Sequence, residues 1–144
     1  MADQISIKSH RDLTVWRKAV DLAKAIYELT DGLPKKEEYR MAAQLVRAAI
    51  SIPANIAEGN ARGTRRDYAN FVSIARGSTA ELETLLTIIS ETNMAPREKI
   101  AELLEKADEV GRMLNGLRRS LSNSDSVAGA RAGAIDGLGE RKNQ

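Results

Sequence analysis

Three arginines, Arg62, Arg65 and Arg66, flank the dipeptide Gly63-Thr64. The next residues, Thr64-Arg65-Arg66-Asp67, have the form of a capping box: a hydroxyl at the cap and a carboxylate three residues on. A helix is therefore expected to begin at about Thr64. Free N–H groups and the positive dipole end make such a terminus an anion site, and guanidinium groups beside it suit phosphates. A solvated charged loop is the alternative. Arg47, Lys35, Lys36 and Arg40 lie upstream and extend the basic set. Tyr68 is the one aromatic residue near the cluster that could stack on a base, so base-specific reading of a single strand is not supported.

Other chemistries lack their residues. The chain has one histidine and no cysteine. That removes thiolate nucleophiles, disulfides and cysteine-ligated zinc. A di-iron bundle needs two Glu-x-x-His motifs, and the single histidine, His10, precedes the first helix and reads as exposed. No Gly-x-Ser-x-Gly elbow, Gly-rich phosphate loop or His-Glu-x-x-His motif occurs. Glu81 and Glu83 are two residues apart and point in different helical directions. The residues favour no enzyme, no metal and no cofactor.

A second chemical feature is a polar stripe: Arg40, Gln44, Arg47, Ser51, Asn55, Glu58 and Arg62 share one side of a helix at 100° per residue. Pro53 interrupts that helix, removing a hydrogen bond and crowding the carbonyl of residue 49, at about 3 kcal/mol in a helix interior. One reading puts Ser51, Asn55 and Glu58 partly buried at a helix–helix or subunit seam. There they would bond the backbone freed by Pro53, with Glu58 pairing Arg47 or Arg62. The other reading is a ligand site.

The elements that position these residues are helices. The chain has 144 residues, 42% hydrophobic but only 3% aromatic, so one domain with an aliphatic core is expected. Residues 1–11 form an N-terminal segment without the long apolar run of a signal peptide. Helix 1 is expected from about Asp12 to Thr30, capped by Ser9 or Asp12, with Leu13, Trp16, Val20, Ala23 and Tyr27 on its core stripe. Asp31-Gly32-Leu33-Pro34 ends it. Helix 2 runs from about Lys36 to between Glu58 and Ala61, with Gly59 and Gly63 as candidate stops. Helix 3 buries Phe71, Ile74, Ala75, Ser78, Leu82, Leu85 and Ile89. Its Gly77 beside Ser78 implies close approach of a neighbour, because mid-helix Gly costs about 1 kcal/mol against Ala. Helix 4 starts near Pro96 and carries a heptad seam from Ile100 to Leu121. Its early glutamates and its late Arg112, Arg118 and Arg119 match a helix dipole. Residues 122–144 read as a disordered tail. The fold class is all-α, an antiparallel up-down-up-down four-helix bundle over residues 12–121. No run is apolar enough to span a membrane, and a cytoplasmic protein is the default.

Net charge is only +2, but it is unevenly distributed. From Lys35 to Arg76 there are eight basic and four acidic residues; from Gly77 to Glu109 there are three and eight. A basic zone and an acidic zone should result.

Several segments together carry a family resemblance. They are Leu13-Thr14-Val15-Trp16 with Ala19, Leu33-Pro34 before Glu38-Tyr39, and Gln44. The central motif runs from Arg47 to Gly59 through Ser51-Ile52-Pro53-Ala54-Asn55-Ile56-Ala57-Glu58, followed by Arg62. Ala75-Arg76-Gly77-Ser78, Glu81-Leu82-Glu83-Thr84 and Met113-Leu114-Asn115-Gly116-Leu117 complete it. Over roughly residues 10–121 the chain resembles the bacterial 23S rRNA-intervening-sequence proteins. The resemblance implies an antiparallel bundle assembling as a ring, typically a homopentamer. It implies kinship with the accessory variability determinant of diversity-generating retroelements, a basic pentamer that binds nucleic acid and partners a reverse transcriptase. Ser51, Pro53, Asn55, Glu58, Gly59, Gly77, Ser78 and Glu81 would then be motif or interface positions. The expected function is non-enzymatic binding of an RNA or DNA backbone through Arg47, Arg62, Arg65, Arg66, Lys35, Lys36 and Arg40. The alternative is an interaction scaffold for a reverse transcriptase or ribosome-associated factor.

Overall fold

The computed structural model describes residues 9–136. Four helices follow one another: α1, Thr14–Asp31; α2, Met41–Ala61; α3, Arg65–Glu91; and α4, Arg97–Asp136. Each packs on its chain neighbours and α4 closes back on α1, while the backbones of the diagonal pairs stay more than 8 Å apart at their Cα atoms. Short connections force this antiparallel up-and-down order. The centre is aliphatic: Leu22, Ile26, Leu45, Ile52, Ile56, Leu82, Leu86, Ile89, Ile100 and Leu114 are fully buried.

Local chemistry fixes the ends of the helices. Ser9 Oγ accepts from Arg11 N at 3.1 Å and caps a single 3₁₀ turn, His10–Asp12. Helix α1 therefore starts two residues later than expected, at Thr14, with no side-chain cap at Leu13. Helix α2 starts five residues later than expected. Glu37, only 4% exposed, accepts from Met41 N at 3.3 Å, and Lys35–Glu37 form a separate 3₁₀ turn. A buried carboxylate on the first free N–H of a helix satisfies both groups. The α3–α4 turn is a Schellman closure, in which Met94 N bonds Ile89 O at 3.1 Å and Asn93 N bonds Ser90 O at 3.2 Å. Asn93 takes the left-handed conformation, φ 58°, which a short polar side chain tolerates.

Several expectations need correction. Tyr27 is 51% exposed rather than on the core stripe of α1. His10 is half-buried, its ring edge-on to Trp16 at 5.0 Å. The buried face of α3 is rotated: Val72, Thr79 and Leu86 are inside, Phe71 and Ser78 are half-buried, and Ile74 is 50% exposed. Helix α4 continues beyond Leu121 to Asp136, so residues 122–136 have helical backbone rather than an irregular course. Residues 137–144 of the expected tail, and residues 1–8 of the N-terminal segment, lie outside the described residues. Among the described residues no helix is long and apolar enough to cross a membrane.

Candidate nucleic-acid interface

Thr64 sits at the N-cap of α3, its Oγ1 accepting from Asp67 N at 3.1 Å. Asp67 adds a carboxylate to the same first turn. The N-terminus of α3 thus already holds an internal acceptor and an internal negative charge, which blunts it as an anion cradle. Arg62 caps the other side of the turn, where α2 ends in extended backbone. Its guanidinium lies 4.7 Å over the Phe71 ring and 3.0 Å from Glu58 Oε2. Both partners of that ion pair are about half exposed, so solvent screens it and the pair is weak. Arg66 is exposed nearby. Tyr68 is half-buried against the core, with Asn60 Nδ2 3.5 Å from its hydroxyl.

The seven basic residues singled out from sequence do not form one patch. Lys35, Lys36 and Arg40 precede α2 and Arg62 follows it. A helix of this length separates the two groups by about 30 Å. Arg47 is exposed between them.

The polar stripe has a definite geometry at the α2–α3 seam. Ser51 Oγ and Ser78 Oγ lie 2.8 Å apart, and Asn55 Nδ2 donates to Ser51 O at 2.8 Å and Ser51 Oγ at 2.9 Å. The bond reaches the carbonyl of residue 51, not the residue 49 carbonyl that Pro53 frees. Pro53 itself is buried within a continuous α2. Glu58 is exposed, not part of this seam, and Glu81 is exposed on α3. Gly59 does not stop α2; it is buried within it. A Cβ there would lie 2.7 Å from Phe71 Cβ and 3.0 Å from Tyr68 Cδ1. Gly77 is the opposite case: among the described residues nothing lies within 4 Å of where its Cβ would be, so the expected close approach of a neighbour is not seen there.

Antiparallel packing redistributes the charge. Two contacts mark the middle of the bundle: Ser51–Ser78 between α2 and α3, and Lys18 Nζ–Glu109 Oε2 at 3.2 Å between α1 and α4. One half holds residues 9–18, 51–77 and 110–121. It carries ten basic and three acidic residues. The other half, residues 19–50 and 78–109, carries eight basic and thirteen acidic. Lys35, Lys36, Arg40 and Arg47 fall in the acidic half. Arg62, Arg65 and Arg66 fall in the basic half with Arg76, Arg118 and Arg119, which the sequence reading did not place in the site. With α4 running to Asp136, Arg118 and Arg119 are well inside the helix rather than in its last turn, so their positions no longer match a C-terminal dipole effect.

Among titratable groups, Glu83 on α3 stands out. Burial raises its carboxyl above the usual range, and the Asp108 carboxylate opposite on α4 adds to the shift. Among the described residues no group of three or more His, Cys, Asp or Glu could hold a metal ion.

Residues 11–116 match the family model described as 23S rRNA-intervening sequence protein. No curated protein matches the chain. Among solved structures, a protein with unknown function from the S23 ribosomal protein family of Bacteroides thetaiotaomicron superposes with a TM-score of 0.69 at 27% identity. The match covers 73% of this chain and 98% of that one.

Proposed function

Because the chain belongs to the 23S rRNA-intervening sequence protein family, we propose that it is a non-enzymatic, oligomeric protein that binds the phosphate backbone of RNA or DNA through the basic end of its bundle. The observation that carries this reading is the charge division: ten basic against three acidic residues in one half. Arg62, Arg65 and Arg66 contact phosphates at the α2–α3 turn. Lys35, Lys36 and Arg40 lie too far away to share that footprint. Repetition of the basic end around a ring, a homopentamer in the form the resemblance implies, raises avidity without new contacts. Readout is of backbone charge, with little sequence preference.

The test is fluorescence anisotropy with labelled RNA and DNA oligonucleotides of equal length across a KCl series. Log affinity should fall linearly with log salt. The triple variant Arg62→Ala/Arg65→Ala/Arg66→Ala should reduce the slope by about 2–3, from roughly 0.7–0.9 per lost phosphate contact. An unchanged slope, with helicity intact, removes this end from the interface.

One observation favours a second reading, the interaction scaffold. Ile50 on α2 and Ile74 on α3 are 43% and 50% exposed, and the space at Gly77 is open. Apolar and small residues on an outer face suit a protein partner, whether further copies of the chain or a reverse transcriptase. Assembly that survives 1 M salt without retained nucleic acid, read by light scattering, would favour it.

A further inference from the structure

Arginines from two helices converge on a cavity at the α3–α4 seam. Arg76 on α3 and Asn115, Arg118 and Arg119 on α4 line a space of about 190 Å³. Arg118 Nε donates to Ser73 Oγ across the seam. That bond holds the guanidinium in place while its two terminal nitrogens keep four N–H donors. Among the described residues, none of the three arginines is paired with a carboxylate. Three like charges around one cavity repel one another, and an anion in the cavity turns that repulsion into attraction.

We infer that Arg76, Arg118 and Arg119, with Asn115, form a binding site for a phosphate group. The charge suits a phosphomonoester or phosphodiester, and forked guanidinium donors match its oxygens. The neighbouring cavity, about 220 Å³, shares Arg76 and Asn115 and is lined also by Glu83, Asp108 and Arg112, the last paired with Asp108 at 3.2 Å. Glu83 lies two helical turns from Arg76, about 10 Å along the axis. With two carboxylates against Arg76 and Arg112, that cavity lacks the net positive charge of the arginine end. The site lies apart from Arg62, Arg65 and Arg66 and does not depend on their binding anything. A backbone phosphate of a nucleic acid or a free small phosphate could supply the group.

The test is a titration of the full ¹⁵N-labelled protein with inorganic phosphate, followed at backbone amides and arginine Nε–H signals. Chloride at matched ionic strength is the control. Saturable shifts confined to residues around Arg76 and Asn115–Arg119, absent with chloride, are expected. Arg76→Gln/Arg119→Gln should weaken binding by about tenfold or more, since two charge-assisted bonds are lost. Arg76→Lys/Arg119→Lys, which keeps charge and stem, should weaken it less and covers the case in which the glutamine pair fails to fold. Shifts that never saturate, that chloride reproduces, or that keep the parent affinity in whichever variant folds would overturn the site. A single-stranded oligonucleotide that displaces phosphate from these signals identifies a nucleic-acid backbone as the source. Phosphate binding that the oligonucleotide leaves untouched identifies a free phosphate.

Discussion

Replacing Gly59 by Ala should destabilise the bundle, although the same change in an ordinary helix interior is stabilising. Ala gains about 1 kcal/mol over Gly from helix propensity. Against that, the new methyl would sit 2.7 Å from Phe71 Cβ, 3.0 Å from Tyr68 Cδ1 and 3.3 Å from Tyr68 O. Carbon atoms pack best at roughly 3.5–4.0 Å. Phe71 Cβ is anchored to its backbone and Tyr68 O belongs to it, so neither can swing aside as a side-chain tip would. The methyl can be accommodated only if α2 and α3 part at this crossing. Overpacking of this kind costs about 1–3 kcal/mol, and three short contacts at one methyl place this case at the upper end. The expected net loss is about 1–2 kcal/mol. With a urea m-value of about 2 kcal/mol/M, the unfolding midpoint should fall by roughly 0.5–1 M. Far-ultraviolet circular dichroism at fixed protein concentration reads this directly. A midpoint equal to or above that of the parent would show that the crossing at Gly59 is not tight.

Gly77→Ala should do the reverse, raising the urea midpoint by the equivalent of about 1 kcal/mol, because the new methyl meets no atom of the described residues. If copies of the chain pack over that face, light scattering will instead show a smaller species. Ser51→Ala leaves Asn55 Nδ2 and Ser78 Oγ each short of a partner in a half-buried seam. A loss of about 1–2 kcal/mol is expected, and adding Ser78→Ala should cost less than a second such loss. Burial, then Asp108, raises the Glu83 carboxyl above its ordinary value of 4.5. The folded protein therefore holds more protons than the unfolded chain just above that pH, and stability declines as pH rises through the folded value. Glu83→Gln should flatten that decline in urea midpoints taken from pH 4.5 upward; an identical slope would contradict the assignment.

The helices were legible because Leu, Ile and Ala recur at steps of three and four with breakers between them. The phase of α3 was not. Its apolar residues extend around to the outer side, where Ile74 and Ile88 are exposed, so period alone could not choose between Phe71–Ile74 and Val72–Thr79–Leu86 as the inner set. The start of α2 depended on Glu37 folding back onto Met41 N four residues on while itself being buried, a position that a charged residue does not advertise. Gly59 reads as a stop from type alone; only the crossing with Phe71 and Tyr68 shows it to be a contact. The Arg62–Arg65–Arg66 cluster was visible as a local run. The trio of Arg76, Arg118 and Arg119 was not, because it depends on α3 and α4 running antiparallel in a particular register.

The charge division along the bundle gives the molecule a direction. Neighbouring helices run opposite ways, so their backbone dipoles largely cancel, and the side chains set what remains. One half is net positive by seven and the other net negative by five, with centres roughly half a helix length, about 15–20 Å, apart. Near a polyanion such a body experiences a torque as well as an attraction, and it turns its basic end forward within a Debye length, about 8 Å at physiological salt. Dilute salt should therefore speed productive association more than the small net charge of +2 suggests.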